Sequence, residues 1–228
     1  MRTWVLVLLA VAVMGCARSV YPLYTDADLA SDSTFLGTWV HEDTTASSTG
    51  YSTTLRAWVT TATLDTVIYV VTPDSASAYR LEVTDKSGTS TWSAHLVRFG
   101  GRTWLDLLPA ELPPSLDESY RAHFLRVHSI YVLERSDSSL LLYTFHSDSI
   151  AAFVRRRVSA VQHLVLDDDV LLTAPPRDLQ AFFRRYTRPG VLCPPTRLTR
   201  VVPPAAAPTW HAPLPDSAYA DCEVGMPT

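Results

Sequence analysis

Seven histidines are the first residues to ask about chemistry: His41, His95, His123, His128, His146, His163 and His211. A metal centre needs several ligands converging on one point, commonly at close spacing on one face of a helix. No two of these histidines have that spacing. His123 and His128 are five apart, so on a strand they face opposite sides. His128 has apolar neighbours and reads as a hydrogen-bonded core residue. Asp167-Asp168-Asp169 brings three carboxylates together, but a calcium loop wants oxygens at alternating positions, a glycine and a distal Glu. The triplet reads as a solvated turn. Among Asp106, Glu111, Asp117 and Glu118, no pair can be assigned to acid–base work without geometry. No nucleophile elbow, phosphate loop or dinucleotide fingerprint occurs. Metal and cofactor are therefore not expected, and the catalytic residues are unassigned. A hydrolase, if there were one, would need a nucleophile and base near His95 or His128.

Cys16 offers a different chemistry. Arg2 precedes an apolar run from Trp4 to Met14. That run is too short for a bilayer core, which needs about 20 residues, and suits a secretory signal. It ends in Val13-Met14-Gly15-Cys16, which resembles the lipobox of bacterial lipoproteins. The resemblance implies cleavage before Cys16 and a diacylglycerol on its thiol. Met14 departs from the small residue usual at its position. Ala17, standing where an Asp would favour inner-membrane retention, implies the outer membrane facing the periplasm. Two or three acyl chains anchor stably where one is marginal. The chain of 228 residues has a formal charge of −4, which argues against general nucleic-acid binding.

The elements that must position any site are mostly strands. A turn is expected at Ser33-Thr34-Phe35-Leu36, then a strand from Gly37. Asp43 to Thr53, rich in Ser and Thr, reads as a loop. Thr54–Thr61, Leu64–Thr72 and Tyr79–Thr84 read as strands. Thr89–Phe99 and Arg102–Leu108 flank Gly100-Gly101, a hairpin signal. Arg121–Glu134 and Leu140–Phe145 complete the strand-rich part. A helix capped by Ser147 or Asp148, a small hairpin (Val161–Leu166 with Val170–Thr173) and a helix with apolar face Leu179, Phe182, Phe183 and Tyr186 follow. From Thr187 onward the chain holds nine of its sixteen prolines and reads as a tail unable to continue a sheet for long. The expected fold is mainly β: an antiparallel barrel of about eight strands with two short helices and a small hairpin C-terminal to it. The expected division is 1–15 signal peptide, 16–33 lipidated tether and lead-in, 34–186 barrel-like domain, 187–228 tail.

Gly37-Thr38-Trp39, after a helical turn and opening a β-rich domain, resembles the GxW signature of lipocalins and their calycin relatives. There the Trp closes one end of an eight-stranded barrel and often stacks on an Arg from a late strand. A wider set is similar to a family of uncharacterised bacterial lipoproteins over about residues 16–186. It comprises Cys16, Tyr21-Pro22-Leu23-Tyr24-Thr25, Leu36-Gly37-Thr38-Trp39, Ala94-His95-Leu96-Val97 with Gly100-Gly101, Leu105-Asp106-Leu107, Val127-His128-Ser129, and Leu172-Thr173-Ala174 with Leu179-Gln180-Ala181-Phe182. That likeness implies a location and a layout, and no mechanism.

With Cys16 acylated, Cys193 and Cys222 remain. In an oxidising periplasm two such thiols readily pair, so a disulfide closing a loop in the tail is expected. Arg155-Arg156-Arg157 and Arg184-Arg185 read as helix ends on a solvated face, or as contacts for anionic headgroups. The functional expectation is a non-enzymatic, lipid-anchored envelope protein whose barrel binds a small apolar ligand or a protein partner. The alternatives are a structural lipoprotein docking on an envelope complex and, further off, a hydrolase. An apolar, partly empty interior favours the ligand. Filling by Trp58, Tyr69, Trp92, Trp104 and Tyr131 favours the partner.

Overall fold

The computed structural model describes residues 17–54, 56–112, 117–121, 123–136, 138–145, 147–155, 161–166, 169–187 and 191–201. Their strands are β1 (Ala17–Ser19), β2 (Leu29–Ala30), β3 (Gly37–Ser52), β4 (Ala57–Pro73), β5 (Tyr79–Asp85), β6 (Gly88–Phe99), β7 (Arg102–Pro109), β8 (His128–Arg135), β9 (Ser139–Tyr143), β10 (His163–Leu166), β11 (Asp169–Leu172) and β12 (Thr196–Arg200). The helices are α1 (Glu118–Arg121), α2 (Ser147–Arg155) and α3 (Pro176–Tyr186).

Eight strands close on themselves in the order β3-β4-β5-β6-β7-β8-β9-β12, every neighbouring pair antiparallel. This is the mainly β, lipocalin-like barrel expected, and closure removes the edges an open sheet would expose. Strand alternation sorts the side chains into two cores. Trp39, Val71, Leu81, Leu96, Leu105, Leu133, Leu140 and Leu198 pack inside the barrel. Val97, Phe99, Trp104, Ile130 and Val132, on the opposite phase of their strands, pack outside against α2, α3 and β11. The aromatic face of α3 recurs at i, i+3, i+4 and i+7, and Leu179, Phe182, Phe183 and Tyr186 are all buried. Pro176 starts the helix, where its missing N–H leaves no bond unmade. At the β6–β7 turn, Gly100 and Gly101 hold φ of +61° and +72°, the left-handed pair a two-residue hairpin needs.

The barrel wall forks at β8. One edge of this strand pairs with β7. The other is shared: Val132–Arg135 pair with β9, and His128–Ile130 pair with β1. Short β9 leaves that second stretch open, and Ala17–Ser19 fill it. β1 then carries β11 in parallel and β10 beyond it. Within the span 16–33, Ala17 is buried and Leu23 is fully so.

Three further expectations are corrected. The segment 43–53, read as a loop, is strand as far as Ser52: β3 pairs without a break in the ladder from Gly37↔Val71 to Ser52↔Ala57, save one bulge at Thr44/Ala46. Threonine is β-branched and suits a pleated strand, so hydroxyl content misled. From Ala57 onward the segments 54–61 and 64–72 are accordingly one strand, β4. Residues 121–134 are not one long strand; α1 ends at Arg121 and β8 begins only at His128. Most consequential is the boundary at 187. Thr196–Arg200, inside the Pro-rich region, is barrel strand β12, bonded to β9 and β3. The prolines flank a proline-free window from Thr196 to Val202, long enough for one strand with Leu198 pointing in. Residues 202–228, and the signal segment 1–15 with Cys16, lie outside the described residues.

Candidate functional site

The strands give the barrel two unlike ends. At one end the 3₁₀ turn Ser33–Phe35 plugs the lumen. Trp39 is 1% exposed, and its indole N–H donates to the Phe35 carbonyl at 3.0 Å. The Arg200 guanidinium lies over the Trp39 ring, 4.2 Å from its centre, and donates to the carbonyls of Leu36 and Thr34. Gly37 holds φ +123°, a conformation that favours glycine, and a Cβ there would press on Arg200 Nη1 at 3.1 Å. Asp32 caps the 3₁₀ turn through the Thr34 amide and faces Arg135 at 3.6 Å and Arg98 at 4.0 Å. The Thr34 hydroxyl bond, with lesser help from the Thr34 amide and the two guanidinium groups, holds the Asp32 carboxyl below its ordinary range.

Toward the other end the inward-facing residues are only half-buried. On five strands an enclosed position is followed, two residues nearer the mouth, by a half-buried one: Val71 by Tyr69, Leu81 by Val83, Ala94 by Trp92, Leu133 by Tyr131, and Leu140 by Leu142. No charged side chain belongs to either ring. The Trp92 N–H donates to Ser90 Oγ at 3.0 Å. Burial, then the Asp85 charge, raises the Tyr69 phenol above its usual range, keeping it neutral. His41 closes a gap in the wall: its Nδ1 donates to the Arg197 carbonyl at 3.0 Å, where β3 has left its short ladder with β12. Of the five aromatic residues expected to fill the lumen, Tyr69, Trp92 and Tyr131 face it at the mouth. Trp104 packs outside, stacked on Phe99 with ring centres 4.7 Å apart. Trp58 is 72% exposed near the tip of the β3–β4 hairpin.

The histidines singled out for chemistry sit on the outer wall. His95 and Asp106 are register partners on β6 and β7. Asp106 is 0% exposed. Its Oδ2 accepts the Leu23 amide at 2.7 Å and its Oδ1 accepts His128 Nδ1–H at 2.6 Å. The Tyr24 hydroxyl and His95 Nδ1 are hydrogen-bonded at 3.2 Å, and the two rings lie 4.6 Å apart. Burial first, then the charges of Asp106 and Asp26, push the Tyr24 phenol up to about 12. Burial lowers the His95 pKa more than the Asp106 charge raises it. From α3, Gln180 Nε2 donates to the Leu23 carbonyl at 3.1 Å and to Asp28 Oδ2 at 2.9 Å. Both peptide groups of Leu23 are therefore satisfied by side chains, one from the barrel wall and one from the helix.

An Asp–His pair bonded through Nδ1 is also how a catalytic base is oriented. Here His128 is buried, 7% exposed. Ser19, opposite His128 across the β1–β8 ladder, is fully buried, and its hydroxyl accepts the Tyr21 amide. The cluster fastens the N-terminal segment to the wall.

The other expected residues fall as follows. Cys193 is half-buried, its amide bonded to the Thr144 carbonyl at 2.9 Å, and Cys222 lies outside the described residues, as do His146, His211, Asp167, Asp168, Arg156 and Arg157. His123 is exposed. His163 Nδ1 donates to the Val161 carbonyl. Arg184 stands over the Phe99 ring at 5.4 Å. Among the described residues no three metal-ligating side chains converge, and no helix is long and apolar enough to cross a membrane. Sequence reasoning missed the roles of Tyr24, Asp106, Gln180 and Arg200. Asp106 left a signal, a lone charge inside the apolar run Trp104–Leu108 on the phase shared with Trp104. Comparison with protein-family models, with curated proteins and with solved structures finds no match.

Proposed function

We propose that this chain is a lipid-anchored envelope protein that binds a small, uncharged, apolar ligand in the mouth of its barrel. The observation that carries the ligand reading is the pair of interior rings. One end is plugged by Phe35, Trp39 and Arg200. At the other, Tyr69, Val83, Trp92, Tyr131 and Leu142 face inward yet keep contact with solvent. A concave apolar surface with few polar groups is the usual form of a small-molecule site, and aromatic rings supply large contact area at little entropic cost. The anchor reading rests on the apolar run ending at Gly15-Cys16, and places the protein at the outer membrane facing the periplasm.

The two parts are tested separately. Titration with the apolar dye N-phenyl-1-naphthylamine is expected to give saturable fluorescence. Val83→Lys, which puts a charge at the rim, is expected to weaken binding about tenfold, as loss of roughly 1.4 kcal/mol would. Absence of saturation, or equal binding by the variant, would reject the ligand site. Mass spectrometry of the mature N-terminus should find a diacylglyceryl Cys16; an unmodified Cys16 would reject the anchor alone.

A further inference from the structure

The closed end of the barrel gathers positive charge. Arg98 of β6, Arg135 of β8 and Arg200 of β12 follow the inward-facing Leu96, Leu133 and Leu198 by two positions each, and all three reach the 3₁₀ turn and its cap. One carboxylate answers them. Asp32 lies 3.6 Å from Arg135 and 4.0 Å from Arg98, longer than the bonds of a matched guanidinium–carboxylate pair. Arg200 is engaged by the Trp39 ring and the carbonyls of Leu36 and Thr34. Arg98 and Arg135 keep 61% and 45% of their side chains exposed. Other charges nearby are matched: Glu134 pairs with Arg102 at 3.6 Å, Asp28 accepts from Thr25 and Gln180, and Asp74 on the β4–β5 turn is balanced in number by Arg184 beside Gly100. At the mouth the local sign turns, with Asp65 and Asp85 both acting on Lys86. A second observation concerns direction. β1 is antiparallel to β8, so from Ala17 to Ser19 it runs away from the closed end and toward the mouth.

We propose that the closed end docks on a bilayer of anionic phospholipid, with Arg98 and Arg135 contacting the headgroup phosphates. The proposal rests on the lipid anchor: acyl chains ahead of Ala17 join the barrel from the closed-end side, and basic side chains near an anionic surface are drawn to it. The anchor holds the protein at the membrane, and the two arginines set its tilt. The mouth is then turned away from the bilayer and takes its ligand from the aqueous side.

Lys86, the chain's one lysine, allows a test. It lies at the mouth against Asp65, and β4 runs from there to Pro73 at the closed end, roughly 25 Å at about 3.3 Å per residue. A fluorophore is placed on Lys86 of the full mature, acylated chain in vesicles of phosphatidylglycerol and phosphatidylcholine containing a headgroup-nitroxide lipid, which quenches at near contact. Lys86→Arg gives the background from the N-terminal amine. The unaltered chain is expected to sediment with the vesicles and to stay unquenched. Arg98→Gln with Arg135→Gln is expected to lower the docked-to-undocked ratio about thirtyfold and so to raise quenching. Salt at about 1 M should do the same to the unaltered chain by screening the contact, a readout that needs no variant to fold. In phosphatidylcholine alone the two chains should quench alike. Quenching of the unaltered chain in the anionic vesicles, or indifference to either the variant or the salt, would overturn the docking face and leave the anchor standing. A chain that does not sediment with the vesicles would reject the anchor and the docking face with it.

Discussion

At the scale of single residues, the outer-wall cluster makes the sharpest demands. Asp106 answers two buried donors, the Leu23 amide and His128 Nδ1–H. Asp106→Ala leaves both without an acceptor, at about 1–3 kcal/mol for each orphaned group, so urea unfolding should show a loss of roughly 2–5 kcal/mol. Asp106→Asn keeps one acceptor oxygen and should lose less. His95 gives the cluster a pH dependence. Its folded pKa is lowered, burial being the main cause, so in acid the unfolded chain takes up the proton first. Stability from this group is intact above the ordinary histidine range, near 6.5, and is lost as pH falls through the lower folded value. Urea midpoints measured from pH 7 to pH 5 should fall less steeply for His95→Gln than for the unaltered chain. Asp32 acts lower on the scale. Its carboxyl is held down by the Thr34 hydroxyl above all, so its contribution is present above the ordinary Asp range and disappears as pH drops through the folded value. Asp32→Asn should flatten the most acidic part of the same curve.

At the scale of elements, β12 is the clasp of the barrel. It bridges β9 and β3, buries Leu198 at 3% exposure, and delivers Arg200 to the Trp39 ring. Leu198→Ala should destabilise by about 2–5 kcal/mol in the same urea assay. Truncation after Thr187 removes the strand whole and should abolish the cooperative transition, so a tail deletion made there reports on folding and not on any partner. How far such elements could be read from the residues depended on the kind of signal. The α3 face was legible because four apolar side chains recur at helical spacing, and the β6–β7 hairpin because two glycines meet a backbone need nothing else fills. The inward tryptophan of Gly37-Thr38-Trp39 was legible as a motif, but its Arg200 partner was not, being separated by 161 positions and hidden among prolines. The length of the β3–β4 hairpin was illegible because serine and threonine serve loops and strands alike. The side of the wall on which His95 and His128 lie could not be known before the strand phase was fixed.

At the scale of the whole molecule, two unlike ends and two cores divide the labour. The plug of Phe35, Trp39 and Arg200 closes one end, and the half-buried ring rims the other. The outer core of α2, α3 and β11 is not in the lumen, so its packing does not compete with a ligand for space. Leu179→Ala, in that outer core, should therefore lower the unfolding midpoint, by about 2–5 kcal/mol, while leaving dye binding in the mouth unchanged; weakened binding would mean that the two cores are coupled. The fork at β8 has a mechanical consequence. Because β1 is laced on one side to β8 and on the other to β11 from Ala17 onward, tension applied to the chain ahead of it runs along both ladders. Their hydrogen bonds share that load in shear and do not peel away one after another. What pulls on Ala17 therefore turns the whole barrel with it.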